Sequence, residues 1–172
     1  MKDIFLLIFV LLFFSCKREV EVEKQTPEKL TNQKIDTIVI SKTHRINKIT
    51  CDLDGDKKNE IVEIVQSTRN KKTGLRILFG NGKETKYFGM GNDILGQGFD
   101  EIDWVGIFEK APKNETYWNN VNEDGEILTD YEIKEEDKIK LPNDGIFIHA
   151  EESCGGGIIY MENEELKWIQ QE

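Results

Sequence analysis

The chain has 172 residues, 38% hydrophobic and 33% charged, with 33 acidic against 23 basic side chains and a net charge of −10. That length suits one domain with a modest core and excludes a large multidomain enzyme. The acidic balance excludes nucleic acid and anionic membrane surfaces as electrostatic partners, because phosphate binding needs clustered Lys and Arg.

Lys2 opens a short charged region, Ile4 to Phe14 is an unbroken run of eleven apolar residues, and Ser15-Cys16 follows at once. Eleven residues span about 16 Å as a helix, roughly half of a bilayer core, so the run reads as a signal peptide and not as a spanning anchor. The segment resembles the signal of bacterial lipoproteins, in which a small residue precedes a Cys that becomes the acylated first residue. The resemblance implies a leader over 1–15, lipidation at Cys16 with palmitate-type chains, and a place in the bacterial cell envelope. There it implies an outer-membrane lipoprotein facing the periplasm or the cell surface. Two or more acyl chains, at about 0.8 kcal/mol per buried methylene, hold such a protein on its membrane essentially permanently. The stretch Lys17 to Lys34 has Pro27 at its centre and too few apolar residues to bury. Residues 16–34 are therefore expected to form a flexible tether, and 35–172 a single β-rich domain.

Beyond residue 35 the apolar residues come in short runs separated by turn chemistry, and no long stretch keeps a 3.6-residue period. The fold expected is all-β, an antiparallel meander closed as a small barrel or folded as a sandwich. Strands are expected at 36–40, 45–50, 61–66, 103–108 and 145–149. Leu75, Ile77 and Phe79 alternate, Asn81-Gly82 suits a two-residue turn, and Thr85 to Phe88 returns, which predicts a hairpin. A second hairpin is expected around Asp124-Gly125, joining 116–119 to 126–133. A third should join 157–161 to 165–170 through Glu162-Asn163-Glu164.

The most informative stretch is Cys51-Asp-Leu-Asp-Gly-Asp-Lys-Lys-Asn-Glu60, with carboxylates at 52, 54, 56 and 60. A hard cation such as Ca²⁺ takes six to eight oxygens, and alternate acids in a tight loop deliver them without a long excursion of backbone. The candidate ligands are Asp52, Asp54, Asp56, the backbone carbonyl of Lys58, and Glu60, with Gly55 allowing a left-handed bend. The loop resembles the Asp-x-Asp-Gly-Asp loops of FG-GAP and VCBS repeats, which implies a calcium loop between two strands. An EF-hand is the rival, with Glu63 at the twelfth position. Its glycine would fall on Lys57, however, and its flanks would have to be helices. A merely solvated acidic turn is the bland alternative.

With Cys16 acylated, Cys51 and Cys154 are a candidate disulfide pair, two buried free thiols being the alternative. A bridge would bring Glu152 beside the aspartate loop, as an added ligand or as a group supporting the ligands. Ser153 does not sit in a nucleophile elbow, since Glu151 holds the place where glycine is needed, and neither His44 nor His149 is tied to it by spacing. The run Gly155-Gly156-Gly157 reads as a bulge or tight crossing. The glycine-rich stretch 89–98 lacks a phosphate-loop ending and reads as a surface loop, with a ligand-contacting rim as the functional alternative. Trp104, Trp118, Trp168, Tyr117 and Tyr160 are core residues or, alternatively, a carbohydrate platform.

No catalytic constellation is found. The expected protein is a monomeric, lipid-anchored extracytoplasmic binding module with a structural Ca²⁺ site, recognising a protein or glycan partner. The alternatives are an inhibitor or immunity-type lipoprotein that neutralises a basic toxin or hydrolase, and a calcium-dependent hydrolase built around Asp54, Asp56 and Glu152.

Overall fold

Short β-branched runs between turn residues favour strands over helices, and the computed structural model is all-β. It describes residues 37–122, 125–129, 131–152 and 155–172. The expected leader, Cys16, the tether, Ser153 and Cys154 lie outside the described residues. The strands are β1 (Ile38–Ile40), β2 (Lys48–Cys51), β3 (Glu60–Ser67), β4 (Thr73–Leu78), β5 (Lys86–Gly89) and β6 (Ile107–Ala111). They continue as β7 (Thr116–Tyr117), β8 (Ile139–Lys140), β9 (Gly145–His149), β10 (Gly156–Glu162) and β11 (Glu165–Gln171), with one 3-10 turn at Glu135–Asp137.

β3 organises the first sheet. On one side it pairs with β1 through Ile38↔Ser67 and Ile40↔Val65, then with β2 through Lys48↔Glu63 and Cys51↔Glu60. On the other side β4 and then β5 follow in order. Between β1 and β2 the chain leaves the edge and returns. The Ser41 N–H donates to the Ile64 carbonyl at 2.9 Å, and the Ile64 N–H donates to the Asn47 carbonyl at 2.9 Å. The second sheet runs β11-β10-β9-β6, and β7 pairs with β8 as a separate ribbon. Every pairing is antiparallel.

Side chains alternate across a strand with period two, so each sheet can turn one row inward. Val62 and Ile64 of β3 and Leu75 and Ile77 of β4 meet Phe108 of β6, Ile146 and Ile148 of β9, and Ile159 and Met161 of β10 in one buried cluster. The architecture is two open sheets around one core, not a closed barrel. β10 is buried on both faces, because Ile158 and Tyr160 pack into a second cluster with Ala111, Leu141 and Ile169. Tyr117 of β7 and Ile139 of β8 lie against that cluster.

The hairpins differ from expectation in instructive ways. β10 and β11 close through a two-residue turn, Asn163-Glu164, with φ of 51° and 67°. β4 and β5 do pair, but their ladder ends at Ile77↔Lys86, leaving a loop much wider than two residues. Only Gly82 of the Asn81-Gly82 pair has positive φ, at 82°. The expected pairing of 116–119 with 126–133 is not formed: Thr116 and Tyr117 pair with Lys140 and Ile139 instead. Among the described residues the isolated bridge Val121↔Ile127 joins these segments, with the Asn122 N–H on the Glu126 carbonyl and the Leu128 N–H on the Asn120 carbonyl, and Asp124 of its turn lies outside the described residues. The expected strand at 103–108 begins later, at Ile107, after a turn in which the Val105 N–H donates to the Ile102 carbonyl.

Candidate metal centre

The aspartate loop joins β2 to β3, with Cys51 paired to Glu60 at its base. Gly55 and Lys57 take positive φ, 78° and 69°, and fold the loop back on itself. An oxygen from each of Asp52, Asp54 and Glu60 comes within 4.8 Å of the others, near enough for the three to share one cation. Of the expected ligands, the fold therefore brings together Asp52, Asp54 and Glu60. Asp56 is exposed and stands outside this group, with one oxygen accepting from the Lys58 N–H at 2.7 Å and the other from Asn81 Nδ2 at 2.9 Å. Those two donors hold its carboxyl below the ordinary range, the Lys58 N–H contributing most. Lys58 itself has an exposed side chain. Glu152 is exposed and outside the group.

Glu60 is fully buried. Its Oε2 accepts from the Leu53 N–H at 2.6 Å and its Oε1 from the Gly80 N–H at 3.3 Å. Burial nonetheless pushes its carboxyl above the ordinary value of 4.5, outweighing those donors. Removing a carboxylate from water disfavours its charged form, and a shared cation is one arrangement that restores it. Asp52 accepts from the Lys57 N–H at 3.2 Å, and Asp54 Oδ1 from the Asp56 N–H at 3.2 Å.

Three partners of this loop come from distant segments and carry no local signal in the sequence. Asn81 Nδ2 donates to both Asp54 and Asp56 at 2.9 Å, and Lys83 Nζ reaches Asp54 Oδ2 at 3.1 Å. Asn81, half of the pair that suggested a tight turn between β4 and β5, is therefore committed to the acidic loop. Asp144, just before β9, forms a reciprocal latch: its Oδ2 accepts from the Asp52 N–H and its own N–H donates to the Asp52 carbonyl, both at 3.1 Å. Burial raises the Asp144 carboxyl, but the N–H groups of Lys113 and Asp52 and the Lys110 ammonium together hold it below the ordinary 3.8. Gly55 takes φ of 78°, which favours glycine, and an added Cβ would lie 2.4 Å from Asn143 Oδ1, so that side chain would have to swing aside.

The EF-hand rival fails on geometry. Its twelfth residue, Glu63, lies on the opposite face of β3 from Glu60 and accepts from Arg76 Nη2 at 2.5 Å and Nε at 2.9 Å. Both flanks of the loop are strands. Cys51 is a buried free thiol, pushed up to about 12 by burial and by the carboxylates of Glu60 and Asp144, while its candidate partner Cys154 lies outside the described residues.

The remaining candidates disperse. His44 is buried, its Nε2 donating to the Ile102 carbonyl at 3.1 Å while Nδ1 meets Ser41 Oγ at 2.8 Å, so it holds a loop in place. Tyr160 and Tyr117 belong to the second cluster, and Trp118 lies beneath Lys138 Nζ. Trp104 and Trp168 converge on Phe99, each at an edge-to-face angle with it. Comparison of the chain with protein-family models, curated proteins and solved structures finds no match.

Proposed function

We propose that the chain is a lipid-anchored extracytoplasmic binding module whose Asp52–Glu60 loop is held in shape by Ca²⁺. The observation that carries the cation is the convergence of Asp52, Asp54 and buried Glu60 within 4.8 Å on one hairpin loop. Each carboxylate offers two oxygens, and the Lys58 carbonyl lies in the same loop as a further candidate donor toward a shell of six to eight, whereas Asp56 would have to leave Asn81 to join it. Lys83 already partly neutralises Asp54, so a cation competes with that ammonium. The role is structural: at a dissociation constant near 10⁻⁴ M and about tenfold excess of calcium, the stabilisation is roughly 1.4 kcal/mol. That is enough to fix a loop and supplies no chemistry. Support for the anchor is the eleven-residue apolar run ending in Ser15-Cys16.

Calorimetric titration of the full-length protein with Ca²⁺ tests the metal. We expect saturable heat and a melting temperature raised by a few degrees, both lost in Asp54→Ala. A flat isotherm and unchanged melting in the wild type would remove calcium from the reading.

A second reading, an inhibitor of a basic toxin or hydrolase, is favoured by the net charge of −10. A partner captured by long-range charge is lost as salt rises through the physiological range. One held by a desolvated pocket is retained.

A further inference from the structure

Resting on the binding-module reading, we infer that the aromatic cavity at one end of the second sheet binds a neutral saccharide. The cavity measures about 370 Å³, within the range of small-ligand sites and large enough for one or two pyranose rings. Its apolar wall is Phe99, Trp104 and Trp168, with ring centroids of Phe99 5.5 Å from Trp104 and 5.7 Å from Trp168. Trp104 is 38% exposed although its indole N–H is already given to the Glu101 carbonyl at 3.1 Å. What it offers a ligand is therefore mainly its hydrocarbon surface, the surface against which the C–H face of a sugar ring packs.

The polar groups are two amides whose capacity is only partly used. Gln97 gives one N–H to the Leu95 carbonyl. Gln170 accepts from the Trp168 indole at 2.9 Å and gives one N–H to Glu172. Each retains a donor and an acceptor, the pairing a sugar hydroxyl matches since it both donates and accepts. The two amides sit on opposite sides of the sequence, one on the glycine-rich loop after β5 and one on β11, and the fold brings them to one rim.

The glycine run supplies the space. An added Cβ on Gly157 would lie 2.2 Å from the Trp168 ring, and one on Gly156 would lie 2.4 Å from the Ile148 carbonyl. Trp168 thus rests directly on backbone, and Gly155 and Gly156 form part of the cavity lining.

Charge selects the class of ligand. A third of the chain is ionisable, yet no Asp, Glu, Lys, Arg or His side chain lines this cavity among the described residues. Nothing lining it would balance a uronate or a sulfate, the one carboxylate at its rim, Glu172, is already engaged by the Gln170 amide, and the net charge of −10 opposes an anionic polymer further.

The test titrates full-length protein in calcium with xylotetraose, cellotetraose, maltotetraose and chitotetraose, following tryptophan emission, with a tetragalacturonate and a chitosan tetramer as charged controls. We expect saturable change with at least one neutral oligosaccharide, affinity reduced tenfold or more in Trp104→Ala and several-fold in Gln170→Ala, and no reduction in Trp118→Ala. Trp104→Phe, which keeps an aromatic face, should retain part of the affinity, and unchanged melting of these variants separates lost contact from lost fold. Absence of a saturable response to all four neutral probes overturns the saccharide assignment. So does equal binding of the charged controls, or affinity unaffected by Trp104→Ala. The calcium part of the proposed function fails separately, through the calorimetric titration of the same protein.

Discussion

Glu60 sets a trade between the empty and loaded forms of its loop. Its carboxyl is raised above 4.5 by burial, so the folded protein binds more protons than the unfolded chain in the window above that value. Stability contributed by this group is therefore greatest at low pH and falls as pH rises through the raised pKa. Glu60→Gln removes the costly charge and keeps an oxygen for the Leu53 N–H. In chelator at neutral pH we expect this variant to melt no lower than the wild type, with the wild type catching up as pH falls toward 4.5. The same variant should lose the calcium response. Paired thermal melts across that pH range check both halves. Asp52, Asp54 and Glu60 were legible in the sequence because alternate acids about a glycine are a local pattern. Asn81, Lys83 and Asp144 were not, since Asp144 lies 92 positions from the Asp52 N–H it accepts from and nothing in either segment names the other.

At the scale of strands and loops, β10 is the least forgiving element. It is buried on both faces, and Gly157 has Trp168 seated on it. Gly157→Ala would need to displace an indole wedged against backbone, and overpacking of this kind costs about 1–3 kcal/mol. We expect a melting temperature several degrees lower together with a changed tryptophan emission, measured by fluorescence-monitored unfolding. The β10–β11 hairpin is readable in the sequence because two apolar-rich runs flank a short polar turn. The ribbon β7–β8 was not, because two residues at 116–117 meet two at 139–140 across a long connection, and so short a ladder leaves no periodicity to detect. At 81–82 the turn chemistry serves a wider loop and not a two-residue hairpin: the Gly82 N–H closes a turn on the Phe79 carbonyl at 3.1 Å, and the Asn81 side chain is engaged by Asp54 and Asp56.

Over the whole molecule, one core joins both sheets, so the sheets should not unfold separately. Val62→Ala in β3 and Ile146→Ala in β9, both fully buried, should each lower a single cooperative transition by about 1–4 kcal/mol. Denaturant unfolding followed by far-ultraviolet dichroism and by tryptophan emission should give coincident curves for each variant. All-β class was legible from turn spacing alone, whereas the choice of open sheets over a barrel depends on which distant strands pair. The excursion of the chain between β1 and β2 bears on how such molecules meet one another. An uninterrupted strand beside β3 would present a straight row of unpaired amides and carbonyls to any neighbour. Here that margin is broken into pieces of three and four residues by the detour through 41–47. A second copy arriving edge to edge would find no continuous ladder to extend, so crowding these molecules together does not by itself seed a shared sheet along this edge.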